Sequence, residues 1–197
     1  MPTISQKEKE IILKLFKDFT RDYNPSSISN ELDISRVGAF KALKKLENMN
    51  MVKSRKLGKA RFYTLNLEND YARKNVEVIL MEEAIKKQRW IDEFKELFNH
   101  VQIVVLFGSI ISFEDKAKDI DILLVLEQEQ NKQVNHIIES KNKMLLKRIH
   151  PIKQTKEDLK NNIKKEDHVI MDAIKKGIVL YGVEEYVELI KDVTSRK

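Results

Sequence analysis

The chain has 197 residues, of which 42% are hydrophobic and 35% charged, the mixture of a globular protein of one large or two small domains. It has no cysteine, which excludes disulfides and thiolate metal sites, and no stretch approaches the roughly 18 apolar residues of a membrane span. The net charge of +6 is unevenly spread: residues 1–66 hold 14 Lys/Arg against 7 Asp/Glu, whereas residues 67–197 hold 23 against 24.

That asymmetry points to a polyanion as partner of the first third alone. The opening MPTISQKEKE lacks the apolar core of a signal peptide, so a cytoplasmic location is expected.

Apolar residues at Ile11, Ile12, Leu15, Phe16 and Phe19 have helical spacing. Pro25 then breaks the chain, with Ser26 or Ser27 as the expected cap of a short helix that carries Ile28 and Leu32 inward. Ser35 is the expected cap of the next helix, RVGAFKALKKLENMN. Its apolar positions Val37, Phe40, Leu43 and Leu46 recur every three residues and leave Arg36, Lys41, Lys44 and Lys45 on or near the opposite faces.

Val52–Arg55 and Arg61–Leu65 then read as two strands with Gly58 in the turn between them. This stretch carries Lys53, Arg55, Lys56, Lys59 and Arg61 and no acid. Helix, short helix, helix and basic hairpin in that order resemble the winged helix-turn-helix family of DNA-binding domains. The resemblance implies that residues 35–47 enter the major groove and residues 53–61 meet the backbone or minor groove. Lysines on such surfaces neutralise phosphates, while base readout needs side chains near the helix start, such as Ser35, Arg36 and Lys41.

Asn69 to His100 contains neither Gly nor Pro and carries a helical apolar stripe, interrupted near KKQ, that includes Trp90 and Phe94 as packing residues. One long helix or two abutting ones are expected. The stripe needs a partner, either the second domain or a second copy of the chain, and a homodimer is expected. The expected domains are therefore residues 1–68, a connecting helix 69–100, and residues 101–197. The fold class is α+β.

Val101–Phe107 reads as a buried strand, followed at once by Gly108 and Ser109. A strand that runs through Gly-Ser into a helix start gathers backbone N–H groups around an anion. Nine residues later comes Asp119-Ile-Asp121 inside a second hydrophobic run. Alternate residues of a strand share a face, so both carboxylates point one way, roughly 7 Å apart at Cα, and can hold a divalent cation between them. Mg²⁺ suits such a pair, since it prefers few carboxylates plus substrate phosphates.

VVLFGS and DIDILLV, with AIKKGIVLYG at 173–182 as a final helix and strand, resemble the DNA polymerase β-type nucleotidyltransferase superfamily in its minimal form, over about residues 95–190. The resemblance implies that Gly108 and Ser109 hold the triphosphate of an NTP and that Asp119 and Asp121 are catalytic and bind Mg²⁺. It also implies a third carboxylate on the following strand. The candidate strand, Met144–Ile152, has no acid and offers Lys147, Arg148 and His150 instead, while Glu157 and Asp158 belong to a capping box opened by Thr155.

The loop after Gly-Ser carries Ile111, Ser112 and Phe113, where members often have a small residue and an arginine. Beside a weaker reading in which the winged helix holds a partner protein, two functions remain open. One is a DNA-binding regulator with a degenerate nucleotidyltransferase-like domain. The other is an active Mg²⁺-dependent transferase acting on a protein, an RNA or a small molecule, as in toxin–antitoxin members of the superfamily.

Overall fold

The structure, a computed structural model, describes residues 3–195 and divides into two compact units, Met1–Ile79 and Leu80–Lys197. The architecture is α+β. The boundary falls inside a helix, within the segment 69–100 expected to connect the two domains.

In the first unit, α1 (Gln6–Lys17) starts at a capping box in which Ser5 and Glu8 satisfy each other's backbone N–H. α2 (Pro25–Leu32) is capped by Asn24, whose side chain accepts from the N–H of Ser26 and Ser27. The expected serine cap is corrected to this asparagine. Pro25 fills the first helical position, where its missing N–H costs nothing. After a three-residue turn, α3 (Arg36–Asn48) begins at Ser35, which accepts from Gly38 N–H at 3.0 Å as expected.

β1 (Val52–Leu57) and β2 (Ala60–Leu65) pair antiparallel around Gly58-Lys59, with Gly58 at φ +60°. That backbone conformation is free to glycine and costly to other residues. Tyr63 of β2 also pairs with Tyr23, its N–H donating to the Tyr23 carbonyl at 2.7 Å, so a third short strand leans on the hairpin. Three helices and a hairpin with this third pairing form a winged helix.

The core of this unit gathers Ile11, Ile12, Phe16, Tyr23, Ile28, Leu43, Leu46 and Tyr63, all essentially inaccessible. α3 contributes Ala39, Leu43 and Leu46 to it, not the expected every-third stripe: Val37 is 63% and Phe40 51% exposed. The spacing 39, 43, 46 follows the 3.6-residue turn that keeps one face inward, whereas a strict three-residue repeat drifts around the helix.

Lys45 also departs from its expected place on a free basic face. Its ammonium donates to Glu8 Oε2 at 2.9 Å and to the Thr3 carbonyl at 2.8 Å, tying α3 to the start of α1. Burial pushes the Glu8 carboxyl up, but Lys45 and the Ser5 backbone and hydroxyl donors outweigh it and hold it below its ordinary value of 4.5. A depressed carboxylate stabilises the fold above its unfolded value, and that stabilisation is lost as pH falls through the folded one. We expect Lys45→Ala to cost about 1–3 kcal/mol in chemical denaturation at neutral pH, because Glu8 is left buried without its counter-ion. The difference from wild type should shrink in acid.

α4 (Asp70–Ile85) spans the boundary, and α5 (Gln88–Phe94) follows after a break at Lys86-Lys87, so the two-helix alternative holds. Trp90 and Phe94 are buried, with ring centroids 6.1 Å apart, as packing residues.

The second unit is built on a four-stranded sheet in the order β5-β4-β3-β6, formed by β3 (Ile103–Phe107), β4 (Asp119–Val125), β5 (Arg148–Gln154) and β6 (Ile178–Tyr181). β3 runs antiparallel to both neighbours, while β4 and β5 are parallel and joined by the crossover helix α6 (Asn131–Met144). Every residue of β3 is buried. In β4, Ile120, Ile122 and Leu124 enter the core, so Asp119 and Asp121 are left together on the other face.

α7 (Lys156–Lys164) starts at the expected Thr155–Asp158 capping box, and α8 (His168–Lys176) and β6 are the expected closing helix and strand. One more helix, α9 (Val183–Thr194), follows and buries Tyr186, Val187, Leu189 and Ile190.

Candidate functional site

Each unit carries one surface with chemistry. In the first unit this is the outward face of α3 with the hairpin. Arg36, Lys41, Lys53, Lys56 and Lys59 are exposed and make no ion pair among the described residues. Lys44 pairs with Glu47 at 2.8 Å, Arg55 with Asp22, and Arg61 with Glu47 at 3.4 Å, so these three are partly committed within the unit. Exposed pairs of this kind contribute little to stability and exchange readily for phosphate. Ser35 is spent as a cap, with its hydroxyl oxygen on Gly38 N–H. Interleaved with the cations are the exposed apolar side chains Val37, Phe40 and, near the hairpin tip, Leu57.

In the second unit the site forms where β3 ends. Phe107 pairs with Asp121 across the ladder, and Gly108 follows at φ +77°. A side chain on Gly108 would overlap the Asp121 carboxylate, so the glycine serves both the backbone conformation and the close approach. Ser109 is exposed at the start of a one-turn 3₁₀ helix, Ser109–Ile111. Gly108→Ala should displace the Asp121 carboxylate and destabilise the fold by about 1–3 kcal/mol through strain at positive φ. A denaturation midpoint unchanged from wild type would contradict this packing.

The loop that returns to β4 is held from below. Lys147 donates to the carbonyls of Glu114 and Ala117, each at 2.6 Å, and Lys87 donates to the Ile111 carbonyl at 3.0 Å. Glu114 is ion-paired with Arg89.

Asp119 and Asp121 lie side by side as expected, half-buried. Burial first, and then the Asp119 charge, push the Asp121 carboxyl above its usual range, against an opposing effect of His150. In the parallel ladder Asp121 sits opposite His150 and Asp119 opposite Arg148. His150 Nδ1 is 3.3 Å from Asp119 Oδ2 and 3.9 Å from Asp121 Oδ1. Among the described residues these three form the one cluster able to supply three metal ligands, with all ligand atoms within 4.8 Å of one another, and no further carboxylate joins it.

His150 thus stands on the strand where the family resemblance implies a third carboxylate. The alternation of Arg148, His150 and Ile152 hinted at its face, but the register against β4 could not be read from the sequence.

The two units therefore define the class: a winged helix joined to a nucleotidyltransferase-like domain. Residues 87–180 match the model of the nucleotidyltransferase domain. No curated protein matches the chain.

Among solved structures, the chain is similar to the adhesin competence repressor AdcR of Streptococcus pyogenes, with a TM-score of 0.38 and 13% identity over 48% of this chain and 68% of that one. It is similar to a variant of ZitR of Lactococcus lactis, with a TM-score of 0.34 and 16% identity over 73% and 77%. It is also similar to the heme sensor protein PefR of Streptococcus agalactiae, with a TM-score of 0.35 and 11% identity over 72% and 75%. The winged-helix assignment rests on the three helices, the hairpin and the Tyr23–Tyr63 pairing.

Proposed function

We propose that the chain is a DNA-binding transcriptional regulator whose nucleotidyltransferase-like domain binds a nucleotide with a divalent cation and does not turn it over. The observation that carries this reading is the outward face of α3, where Arg36 and Lys41, which make no ion pair among the described residues, accompany exposed Val37 and Phe40. Cations alone would suit any polyanion. Apolar side chains kept in water beside them suit the thymine methyl groups of the major groove, as Phe and other apolar side chains do in base readout. Lys53, Lys56 and Lys59 on the hairpin suit the flanking phosphates.

Asp119 and Asp121 would hold the cation, with the backbone at Gly108 and the Ser109 hydroxyl toward the phosphates. The fit to Mg²⁺ is incomplete, because the third donor on this face is an imidazole nitrogen and Mg²⁺ takes oxygen ligands. The reading of no turnover rests on the same substitution, since a neutral imidazole does not supply the charge of a carboxylate.

The assay that tests it is incubation of the purified chain with each α-³²P-labelled NTP, Mg²⁺ or Mn²⁺, and cell extract as acceptor, beside Asp119→Asn/Asp121→Asn. No label transfer is expected from either. Label transferred by the wild type and lost in the double variant would establish the alternative, an active nucleotidyltransferase acting on a protein, RNA or small molecule. That alternative is favoured by one observation, the close approach of Gly108 to the Asp121 carboxylate.

In the first unit Tyr71 and Val78 leave apolar surface exposed on α4, which supports a homodimer as the working form. No helix among the described residues is long and apolar enough to cross a membrane. A regulator of this kind would act in the cytoplasm.

A further inference from the structure

We propose that Asp119, Asp121 and His150 form a single three-ligand site for a first-row transition-metal dication of the Zn²⁺, Co²⁺ or Mn²⁺ kind, in preference to Mg²⁺. The inference rests on the reading above that the aspartate pair holds a cation, and adds to it the identity of the third ligand and of the ion.

The three side chains come from two adjacent parallel strands and share one face of the sheet because Asp121 and His150 are register partners. The imidazole is half exposed, and its Nδ1 lies 3.3 and 3.9 Å from one oxygen of each carboxylate. These separations are longer than those of a good N–H···O hydrogen bond. They are close to the spacing between ligands that share one ion. Ligands about 2.1 Å from a tetrahedral metal stand about 3.4 Å from each other.

The donor chemistry then chooses the ion. Two carboxylates alone suit Mg²⁺, Ca²⁺ or Mn²⁺, but an imidazole nitrogen completing the set shifts preference to the borderline transition ions. Mg²⁺ dehydrates reluctantly and takes oxygen donors, so it would leave His150 unused. Two half-buried carboxylates facing each other also gain more from a dication than from a protonated histidine, since one ion neutralises both.

Three protein ligands would leave a four-coordinate ion one further position; Ser109 follows Gly108 and Arg148 is the register partner of Asp119, and both are exposed. A bound ion could there accept phosphate oxygens or water, as in open metal sites with three protein ligands.

The test is calorimetric titration of the full chain with Zn²⁺, Mn²⁺ and Mg²⁺ separately, with Co²⁺ followed by its visible absorption. Wild type should bind Zn²⁺ and Co²⁺ at least about tenfold more tightly than Mg²⁺. His150→Ala should lose about tenfold or more in Zn²⁺ affinity while leaving weak Mg²⁺ binding unchanged, and His150→Asp should shift the preference back toward Mg²⁺.

Three results would overturn the proposal. If Zn²⁺ affinity falls in Asp119→Asn/Asp121→Asn but not in His150→Ala, the cation site stands and His150 is not its ligand. If the preference for Mg²⁺ is already present in the wild type, the ion is wrong. If no ion's affinity responds to the aspartate variant, the reading of the pair as a cation site falls as well. Melting curves of metal-free variants, with His150 half exposed and outside the core, separate loss of ligation from loss of fold.

Discussion

If the proposed DNA binding holds, replacing Arg36, Lys41 and Lys56 together by alanine should lower the affinity of the chain for double-stranded DNA by roughly a hundredfold near 0.1 M salt and make the slope of log affinity on log salt shallower by about 2.7. Each cation that meets a phosphate releases condensed counterions, and three fewer contacts release correspondingly fewer. These three are exposed and make no ion pair among the described residues, so their removal breaks no ion pair inside the unit. Lys45→Ala serves as the control: it should weaken the fold without changing the salt slope, since Lys45 is held by Glu8. Fluorescence anisotropy on a labelled duplex across a salt series reads both quantities. An unchanged slope in the triple variant would mean that DNA does not meet this face.

The second large effect is at the aspartate pair, and it has two signs. Asp119→Asn/Asp121→Asn should lower divalent-cation affinity by at least about tenfold and remove cation-dependent nucleotide binding, while DNA affinity stays at the wild-type value. The same substitution should raise the melting temperature of metal-free protein at neutral pH. Desolvation and the facing Asp119 charge hold the Asp121 carboxyl above its usual range, so the folded chain takes up a proton more readily than the unfolded one.

For a group raised in this way, stability increases as pH falls through the folded value. At neutral pH the charged pair costs stability, and neutralising it returns that cost. In acid, where both states are protonated, the advantage of the variant should vanish. A pair placed only for structure would show the opposite, loss of stability on substitution. Calorimetry of chelator-treated protein at several pH values decides between them.

How far these sites were legible in the sequence follows from the range of the interactions that build them. Gly108, Asp119 and Asp121 could be placed because they depend on two local rules, strand alternation and the abrupt end of a hydrophobic run. His150 is legible only as a candidate substitute ligand or base. Its position depends on the register of two strands separated by α6, and nothing in RIHPI states that register.

On α3, Ser35 was legible as a cap because capping is local. Val37 and Phe40 were misplaced because hydrophobicity alone does not distinguish a side chain bound for the core from one kept outside for a partner; the inward positions are 39, 43 and 46. Lys45 was misassigned for a related reason: its partner Glu8 lies 37 residues away, across the packing of two helices. The cap of α2 failed on a finer point, since the proline that marks the helix start leaves the cap to the residue before it, Asn24.

The two units also differ in what their departures from simple folding rules mean. Exposed Phe40 and Val37 cost solvation in the isolated unit, and two close carboxylates cost electrostatic energy in the other. Such local conflicts concentrate where a chain meets a ligand. That both fall on the surfaces carrying the other candidate residues is the reason for assigning a partner to each.

On the proposed function the winged helix reads DNA sequence. The most direct measurement is selection of bound duplexes from a random library by the full chain at near-physiological salt, with Phe40→Ala and the Arg36/Lys41/Lys56 alanine variant selected in parallel. The account predicts that wild type enriches a defined motif containing thymines. Phe40→Ala should retain binding but lose preference at those thymine positions, and the charge variant should enrich nothing. Recovery of no motif by the wild type, or a motif unchanged by Phe40→Ala and by loss of the three cations, would contradict it.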